Sequence, residues 1–365
     1  MKVSTLTFQE SHNYGALLQA YALQTKLGMM GCEVEIINYH SEQKASHYGF
    51  GYDKNRSILA NISKQLSRGL RKKRMRQMDA FRRDYLKLTK ERYDTREALS
   101  SYAQTRDYII CGSDQIWNYN SIKGDSTYLL DFVTDPSRKI AYAPSFGTSS
   151  IPNEQKDFYI RNLTNFEKLS VREKTGAEII RDLMGKEVPV VADPCMLLET
   201  EEWRKLSMPI ENKKLSNGFI FVYYIRYSPE LIAAAKKASE ETGLPVVISA
   251  HSLLDLKNGF QNICLSVPQF LWAVGNAKMV FTNSFHATLF SIVFEKDVHI
   301  FPDKREKNNT SSRIFGLLES LGLNTSGDLT FHPDDYDDAV HSRMEQERGR
   351  ANKYIRQVLE IESVE

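Results

Sequence analysis

Short apolar runs alternate with amphipathic stretches along most of this chain, and each run closes on a polar or glycine-containing turn. Residues 2–8 alternate as a strand, and Ser11-His12-Asn13-Tyr14-Gly15 reads as a polar turn. Residues 16–29 place Leu17, Ala20, Tyr21, Gln24 and Leu27 at helical spacing. Gly31 breaks that helix, and residues 33–39 form a second strand. A βαβ opening of this kind predicts a parallel sheet with helices on its faces.

The rhythm resumes at residues 107–111, a strand ending in Gly112-Ser113-Asp114-Gln115-Ile116-Trp117-Asn118. Residues 139–144 end in Ser145-Phe146-Gly147, residues 168–171 in Arg172-Glu173, and residues 188–192 in Asp193-Pro194. The carboxyl ends of parallel strands face one way, so these polar ends would line one cleft. Residues 203–217 read as a linker into a second unit. There, strands are expected over 218–224, 245–249, 278–281 and 298–301, with helices over 229–242, 267–276, 289–294 and 314–321. An acidic turn from Asp334 leads into a charged terminal helix. The predicted fold is α/β, with two Rossmann-like doubly wound domains facing a cleft. The first domain covers 1–200 and the second 201–335, while the helix of 336–365 packs back on the first.

Residues 41–100 depart from the pattern and read as a basic helical insertion. The stretch 57–88 looks helical, with Ile58, Ile62, Leu66, Leu70, Met75, Met78, Phe81 and Tyr85 forming one packed stripe. Eleven Lys or Arg lie between Arg68 and Arg92 against three acids, which leaves two readings. It is a solvated helical face, or a basic surface (57–92) docking on an anionic membrane face or a charged acceptor. No recognition motif accompanies the charge, so nucleic acid is not expected.

Composition narrows the class further. The chain has 365 residues, 41% hydrophobic and 26% charged, with a net charge of +2, as is ordinary for a globular protein of two domains. No apolar run approaches the roughly 20 residues of a membrane span. The N-terminus reads as a strand rather than a signal peptide, so a cytoplasmic protein is expected. The four cysteines form no CxxC pair and read as reduced thiols, with Cys111 and Cys195 beside candidate site residues.

Four positions invite chemistry. Phe281-Thr282-Asn283-Ser284-Phe285-His286-Ala287-Thr288 reads as strand, polar turn and helix, which brings anion-binding N–H groups together with a histidine able to move a proton. His286 is either that proton carrier or part of a helix cap. Asp114 beside Trp117 suits a sugar, the indole taking a C–H face and the carboxylate a hydroxyl; the other reading is an Asp cap with a core Trp. Arg172, directly after a strand, is either a clamp for a carboxylate or phosphate or half of an ion pair. Arg313, at a helix start after Asn308-Asn309-Thr310-Ser311-Ser312, could clamp an anion, with Lys304, Arg305 and Lys307 adding positive charge. No histidine pair at ligand spacing, HExxH, GxGxxG, P-loop or GxSxG pattern is present, so no metal and no cofactor is expected.

Taken together, the motifs resemble one family. Asn13-Tyr14-Gly15-Ala16 with Leu18-Gln19-Ala20-Tyr21-Ala22-Leu23-Gln24 is similar to the N-terminal signature of the polysaccharide pyruvyl transferases. So, in order, are Cys111 to Asn118, Ala143-Pro144-Ser145-Phe146-Gly147, Ser170-Val171-Arg172-Glu173-Lys174, Asp193-Pro194, and Thr282-Asn283-Ser284-Phe285-His286. The resemblance spans about residue 5 to about residue 325. It implies a GT-B-like fold and transfer of pyruvate from phosphoenolpyruvate to a pair of sugar hydroxyls as a ketal, in exopolysaccharide and cell-envelope biosynthesis. On that reading His286, Asp114 and Arg172 are catalytic. Asn283, Ser284, Arg313 and Ser145 bind phosphoenolpyruvate on the second domain's side. Asn13, Tyr14, Gln115 and Trp117 bind the acceptor, a sugar or lipid-linked oligosaccharide, at the inner face of the membrane. The alternatives are a GT-B-like glycosyltransferase using a nucleotide sugar, and a non-catalytic sugar-binding protein. Ala287 stands where the family usually has Gly, His12 where it has Asp or Asn, and Pro144 where it has Ala; a Gly position of positive φ would strain Ala287.

Overall fold

The computed structural model describes residues 1–41, 68–249, 258–303 and 311–362. The first half runs β1 (Lys2–Leu6), α1 (Tyr14–Met29), β2 (Glu33–Tyr39), α2 (Arg68–Tyr85), β3 (Leu88–Tyr93), α3 (Arg96–Ala103) and β4 (Tyr108–Cys111). It continues with α4 (Tyr119–Ile122), β5 (Lys139–Ala141), α5 (Asn153–Leu163), β6 (Lys168–Leu169), α6 (Lys174–Met184) and α7 (Thr200–Leu206). Its sheet has the order β3-β2-β1-β4-β5-β6 with every pairing parallel. That is the strand order of a doubly wound Rossmann sheet.

The second half holds β7 (Ile220–Tyr223), α8 (Pro229–Thr242), β8 (Val246–Ile248), β9 (Gln261–Asn262), α9 (Val267–Asn276) and β10 (Met279–Thr282). After these come α10 (Phe285–Val293), β11 (Asp297–Ile300), α11 (Ser311–Ser320), β12 (Thr330–Phe331) and α12 (Asp338–Leu359). The order is β12-β11-β10-β7-β8-β9, parallel except for β12 on β11. The protein is thus α/β, two Rossmann-like doubly wound halves whose strand ends face a cleft.

Two expectations are corrected here. The expected basic helix is present over Arg68–Tyr85, but the insertion does not run on to 100: β3 completes the first sheet on β2, and α3 follows it. The charged positions Lys90, Glu91 and Arg92 hid an edge strand, because an edge strand keeps much of its surface in water. The rest of that reading, with Ile58, Ile62 and Leu66, falls on residues 42–67, outside the described residues. Nor is 203–217 a bare linker. α7 opens with a reciprocal Glu199–Glu202 capping box and buries Trp203, whose indole meets Phe290 of α10 edge-on at 4.9 Å. The run 188–192 contributes only a parallel bridge between Val190 and Val171.

One apolar cluster runs through both halves, joining Tyr14, Leu17 and Leu18 of α1 to Phe270 and Leu271 of α9 and to Leu289 of α10. Tyr14 stacks on Phe270 at 4.4 Å and donates its hydroxyl to Leu265 O at 2.9 Å. α12 lies against the first sheet: Ala351, Ile355, Val358 and Leu359 pack with Val3, Ile110 and Ile140, and Tyr354 donates to Ala141 O. Among the described residues, no helix is long and apolar enough to cross a membrane.

Candidate active site in the cleft

Three helices begin at one cleft. Asn13 caps α1, its Oδ1 accepting from Gly15 N at 2.9 Å and Ala16 N at 3.4 Å. Ser284 caps α10, its Oγ accepting from Ala287 N at 3.4 Å. α11 starts at Ser311. With Asp114, Gln115, Ile225, Arg226, Asn283, Phe285, His286, Asp303, Arg313 and Ile314, these residues enclose about 840 Å³ including the open mouth. Helix starts, with their positive dipole ends, and two guanidiniums make this cleft a place for an anion. Lys304, Arg305 and Lys307, and Asn308 to Thr310, fall outside the described residues.

His286 lies in the first turn of α10, not in the turn before it, and is 7% exposed. Its Nε2 has no hydrogen-bond partner among the described residues, and the nearest carboxylate oxygen, Asp193 Oδ2, is 3.7 Å away. A hydrogen bond needs about 2.7–3.2 Å, so Nε2 makes none with this carboxylate. Ala287 follows inside the helix and is not among the residues of positive φ, so its methyl is unstrained.

Asp114 is held by a parallel bridge to Pro144, just beyond the neighbouring strand β5. Its φ is +69°, and its carbonyl accepts from Ser145 N at 2.8 Å. Two residues earlier, a Cβ at Gly112 would stand 1.9 Å from Tyr142 O at φ +129°, so only glycine lets the two strand ends close. Left-handed backbone is tolerated by Asp, and here it aims a carboxylate at the cleft. Gln115 lines the same wall with its Nε2 buried and without a hydrogen bond.

Arg172 is not the open clamp expected of it. Its side chain is almost wholly buried among three carboxylates: Nη1 donates to Asp193 Oδ2 at 2.7 Å, Nη2 lies 3.7 Å from Asp114 Oδ1, and Nε lies 3.6 Å from Glu173 Oε2. It also stacks over Phe285 at 4.9 Å. Among the described residues Nε and Nη2 make no hydrogen bond, so unused donors remain on both the Glu173 and the Asp114 sides. Burial alone would raise the Asp193 carboxyl. The His286 imidazole, the Arg172 guanidinium and the Cys195 N–H outweigh burial and hold it well below the usual carboxylate range.

Four other expected contacts are corrected. Trp117 is 0% exposed, its Nε1 donating to Tyr128 O at 3.2 Å, so no ring face is left for a sugar. Tyr14 is equally buried, and burial pushes its phenol up to about 12. Ser145 is buried and donates to Glu173 Oε1 at 2.7 Å, bracing the ion cluster rather than facing the cleft. Asn283 reaches the cleft, but its amide is engaged: Oδ1 accepts from Ile225 N and Nδ2 donates to Arg226 O, both at 2.8 Å. It therefore positions Arg226, a cation the sequence reading missed. Arg226 and Asp303 lie 3.7 Å apart. Asp193 was also missed as a site residue, although its motif was visible. Asp193, Cys195 and His286 bring ligand-type atoms within 4.8 Å of one another, a proximity that no sequence spacing announces. Burial and the neighbouring Asp193 push the Cys195 thiol up, so it is no nucleophile.

Behind Phe285 and Arg313 lies a second cavity of about 1110 Å³, reached by Arg172, Asp193 and Met196 and walled by α11 and α12. Arg313 borders both spaces, its guanidinium 6.0 Å above the Phe285 ring.

A family model described as polysaccharide pyruvyl transferase matches residues 13–303. No curated protein matches the chain. Among solved structures, the UDP-GlcNAc 2-epimerase of Neisseria meningitidis, bound to UDP-GlcNAc, is 9% identical with a TM-score of 0.50, covering 99% of this chain and all 100% of its own. MnaA of S. aureus, solved with UDP, is 10% identical with a TM-score of 0.50 over 99% of this chain and 97% of its own. At these identities the likeness speaks for the fold alone, which is GT-B-like.

Proposed function

The chain belongs to the polysaccharide pyruvyl transferase family, and from that premise we propose that it transfers pyruvate from phosphoenolpyruvate to two hydroxyls of a sugar in surface-polysaccharide synthesis. The observation that carries this reading is the buried, unpartnered Nε2 of His286 beside two helix starts and two arginines in one cleft. Phosphoenolpyruvate brings a phosphate and a carboxylate. The starts of α10 and α11 with Arg226 and Arg313 offer the phosphate its donors, and Gln115 Nε2 with Arg172 Nη2 offers donors on the Asp114 side.

The chemistry follows in four moves. His286 Nε2–H protonates the methylene carbon, which becomes a methyl group while positive charge develops on the adjacent carbon. A sugar hydroxyl adds to that carbon and gives its proton to Asp114. Phosphate then leaves with the C–O bond electrons, and the convergent N–H groups stabilise the charge it gains. A second hydroxyl closes the ketal, and its proton restores His286, while the proton on Asp114 leaves with phosphate. Asp193 Oδ2, 3.7 Å from Nε2, sits too far away to take its proton. No cofactor or metal enters this sequence.

The acceptor is proposed to be lipid-linked, with the exposed cations of α2 resting on an anionic membrane face. Titration calorimetry with phosphoenolpyruvate against a panel of nucleotide sugars tests the donor. Heat with phosphoenolpyruvate that is lost in Arg313→Ala supports it. Heat with a nucleotide sugar and none with phosphoenolpyruvate makes the protein a glycosyltransferase instead.

A further inference from the structure

We propose that Gly15 and Asp193 are positioning residues with which the first half of the chain holds His286 of the second, so that the proton donor is assembled only while the two halves are docked. This rests on the reading of His286 as proton donor. Gly15 lies in the first turn of α1 with no unusual φ, so its backbone does not call for glycine. Space does. A Cβ at Gly15 would lie 2.0 Å from His286 Nδ1, 2.3 Å from Cγ and 2.5 Å from Cε1. The imidazole therefore lies flat against the helix start with no room for a methyl group.

The opposite edge of the ring faces Asp193, which cannot drift: Oδ1 accepts from Cys195 N at 3.0 Å and Oδ2 from Arg172 Nη1 at 2.7 Å. Phe285 closes a third side, edge-on at 5.0 Å. What brings Gly15 this close is its neighbour. Tyr14 stacks on Phe270 and bonds to Leu265 O and, at 3.0 Å, to Ser249 Oγ, pinning the start of α1 onto the second half. The motif Asn13-Tyr14-Gly15 thus acts as a unit, in which Asn13 caps, Tyr14 docks and Gly15 makes room.

The test is a double-variant cycle on the full chain, read first by thermal unfolding and then by phosphate release from phosphoenolpyruvate with membrane-extracted lipid-linked saccharides. Gly15→Ala lowers the melting temperature in the wild-type background but leaves it unchanged in His286→Ala, where the methyl has room. It lowers kcat about 100-fold, as a misplacement of about 1 Å can, with KM for phosphoenolpyruvate within about threefold. Gly28→Ala, in the same helix with nothing within 4 Å of the added carbon, changes neither. Asp193→Asn lowers kcat about tenfold with KM for phosphoenolpyruvate within about threefold, because the ring edge has lost its fixed carboxylate. A Gly15→Ala protein with full kcat, an equal loss of melting temperature with and without His286, or an Asp193→Asn protein with full kcat overturns the proposal. Full phosphate release by His286→Ala would instead sink the assignment of His286 on which it rests.

Discussion

Arg172 donates to Asp193 at 2.7 Å with both side chains almost completely removed from water. One guanidinium neutralises part of a cluster that also holds Asp114 and Glu173, and it fixes the carboxylate that faces His286 across the domain boundary. The site is therefore an electrostatic assembly rather than a row of independent residues.

The first consequence is a pH dependence of stability. Asp193 is held well below the usual carboxylate range in the folded protein and reverts to about 3.9 when unfolded. A depressed folded value contributes stability above the unfolded one, and that contribution is lost as pH falls below about 4. The melting-temperature gap between wild type and Asp193→Asn is expected to be widest near pH 7 and to narrow progressively as pH falls below about 4. A gap that is constant with pH would show that Asp193 stabilises by packing alone.

Trp117 provides a contrast between core and site. It is packed against Phe146 and Phe166, at 5.4 and 6.0 Å. Trp117→Ala is expected to cost about 3–5 kcal/mol of stability, as large core truncations do. In protein that remains folded, the affinity for phosphoenolpyruvate stays within about twofold. Denaturant unfolding and calorimetry on the same samples decide the matter; a large loss of affinity with intact stability would return Trp117 to the site.

Arg313 borders the cleft at a helix start. Its replacement by Ala is expected to weaken phosphoenolpyruvate binding by roughly 10- to 150-fold, the equivalent of a charged hydrogen bond worth about 1.5–3 kcal/mol. Because the contact is half-exposed, the wild-type affinity should also fall with salt. Unchanged binding in Arg313→Ala would move the phosphate elsewhere in the cleft.

The exposed cations Lys73, Arg76 and Arg83 of α2 are expected to hold the protein on anionic vesicles, each contributing about 1 kcal/mol. Co-sedimentation with vesicles containing phosphatidylserine should be lost in the triple Glu variant and in high salt, and should not occur with neutral vesicles. Binding that ignores both charge changes would leave α2 a solvated face.

Much of the fold was legible because hydrophobic period reports which face is buried. The bounds of α8 and α9 follow from Ser228-Pro229 and Ser266-Val267-Pro268 at their starts and from apolar spacing along them. β3 was hidden because Lys90, Glu91 and Arg92 need no burial at a sheet edge. α5 and α6 went unread between the short strands: α5 buries only Tyr159 and Leu163, a weak apolar stripe, whereas α6 did carry a helical signal in Gly176, Ile179 and Ile180.

The sequence by itself determined the βα alternation, the polar residues waiting at strand ends, and the family to which the chain belongs. Those follow from local spacing, which each segment carries within itself. Only the tertiary structure decided which of these residues meet a ligand. Trp117, Tyr14 and Ser145 look like Asp114 and His286 in composition and position, but burial removes them. Asp193 becomes a site residue only when the second half lays His286 beside it, some 93 residues along the chain. A contact of that kind depends on how two sheets dock, and no local pattern encodes docking. Gly15 shows the limit most plainly: its place in a helix start was readable, but the reason it is glycine lies in a ring from the other domain.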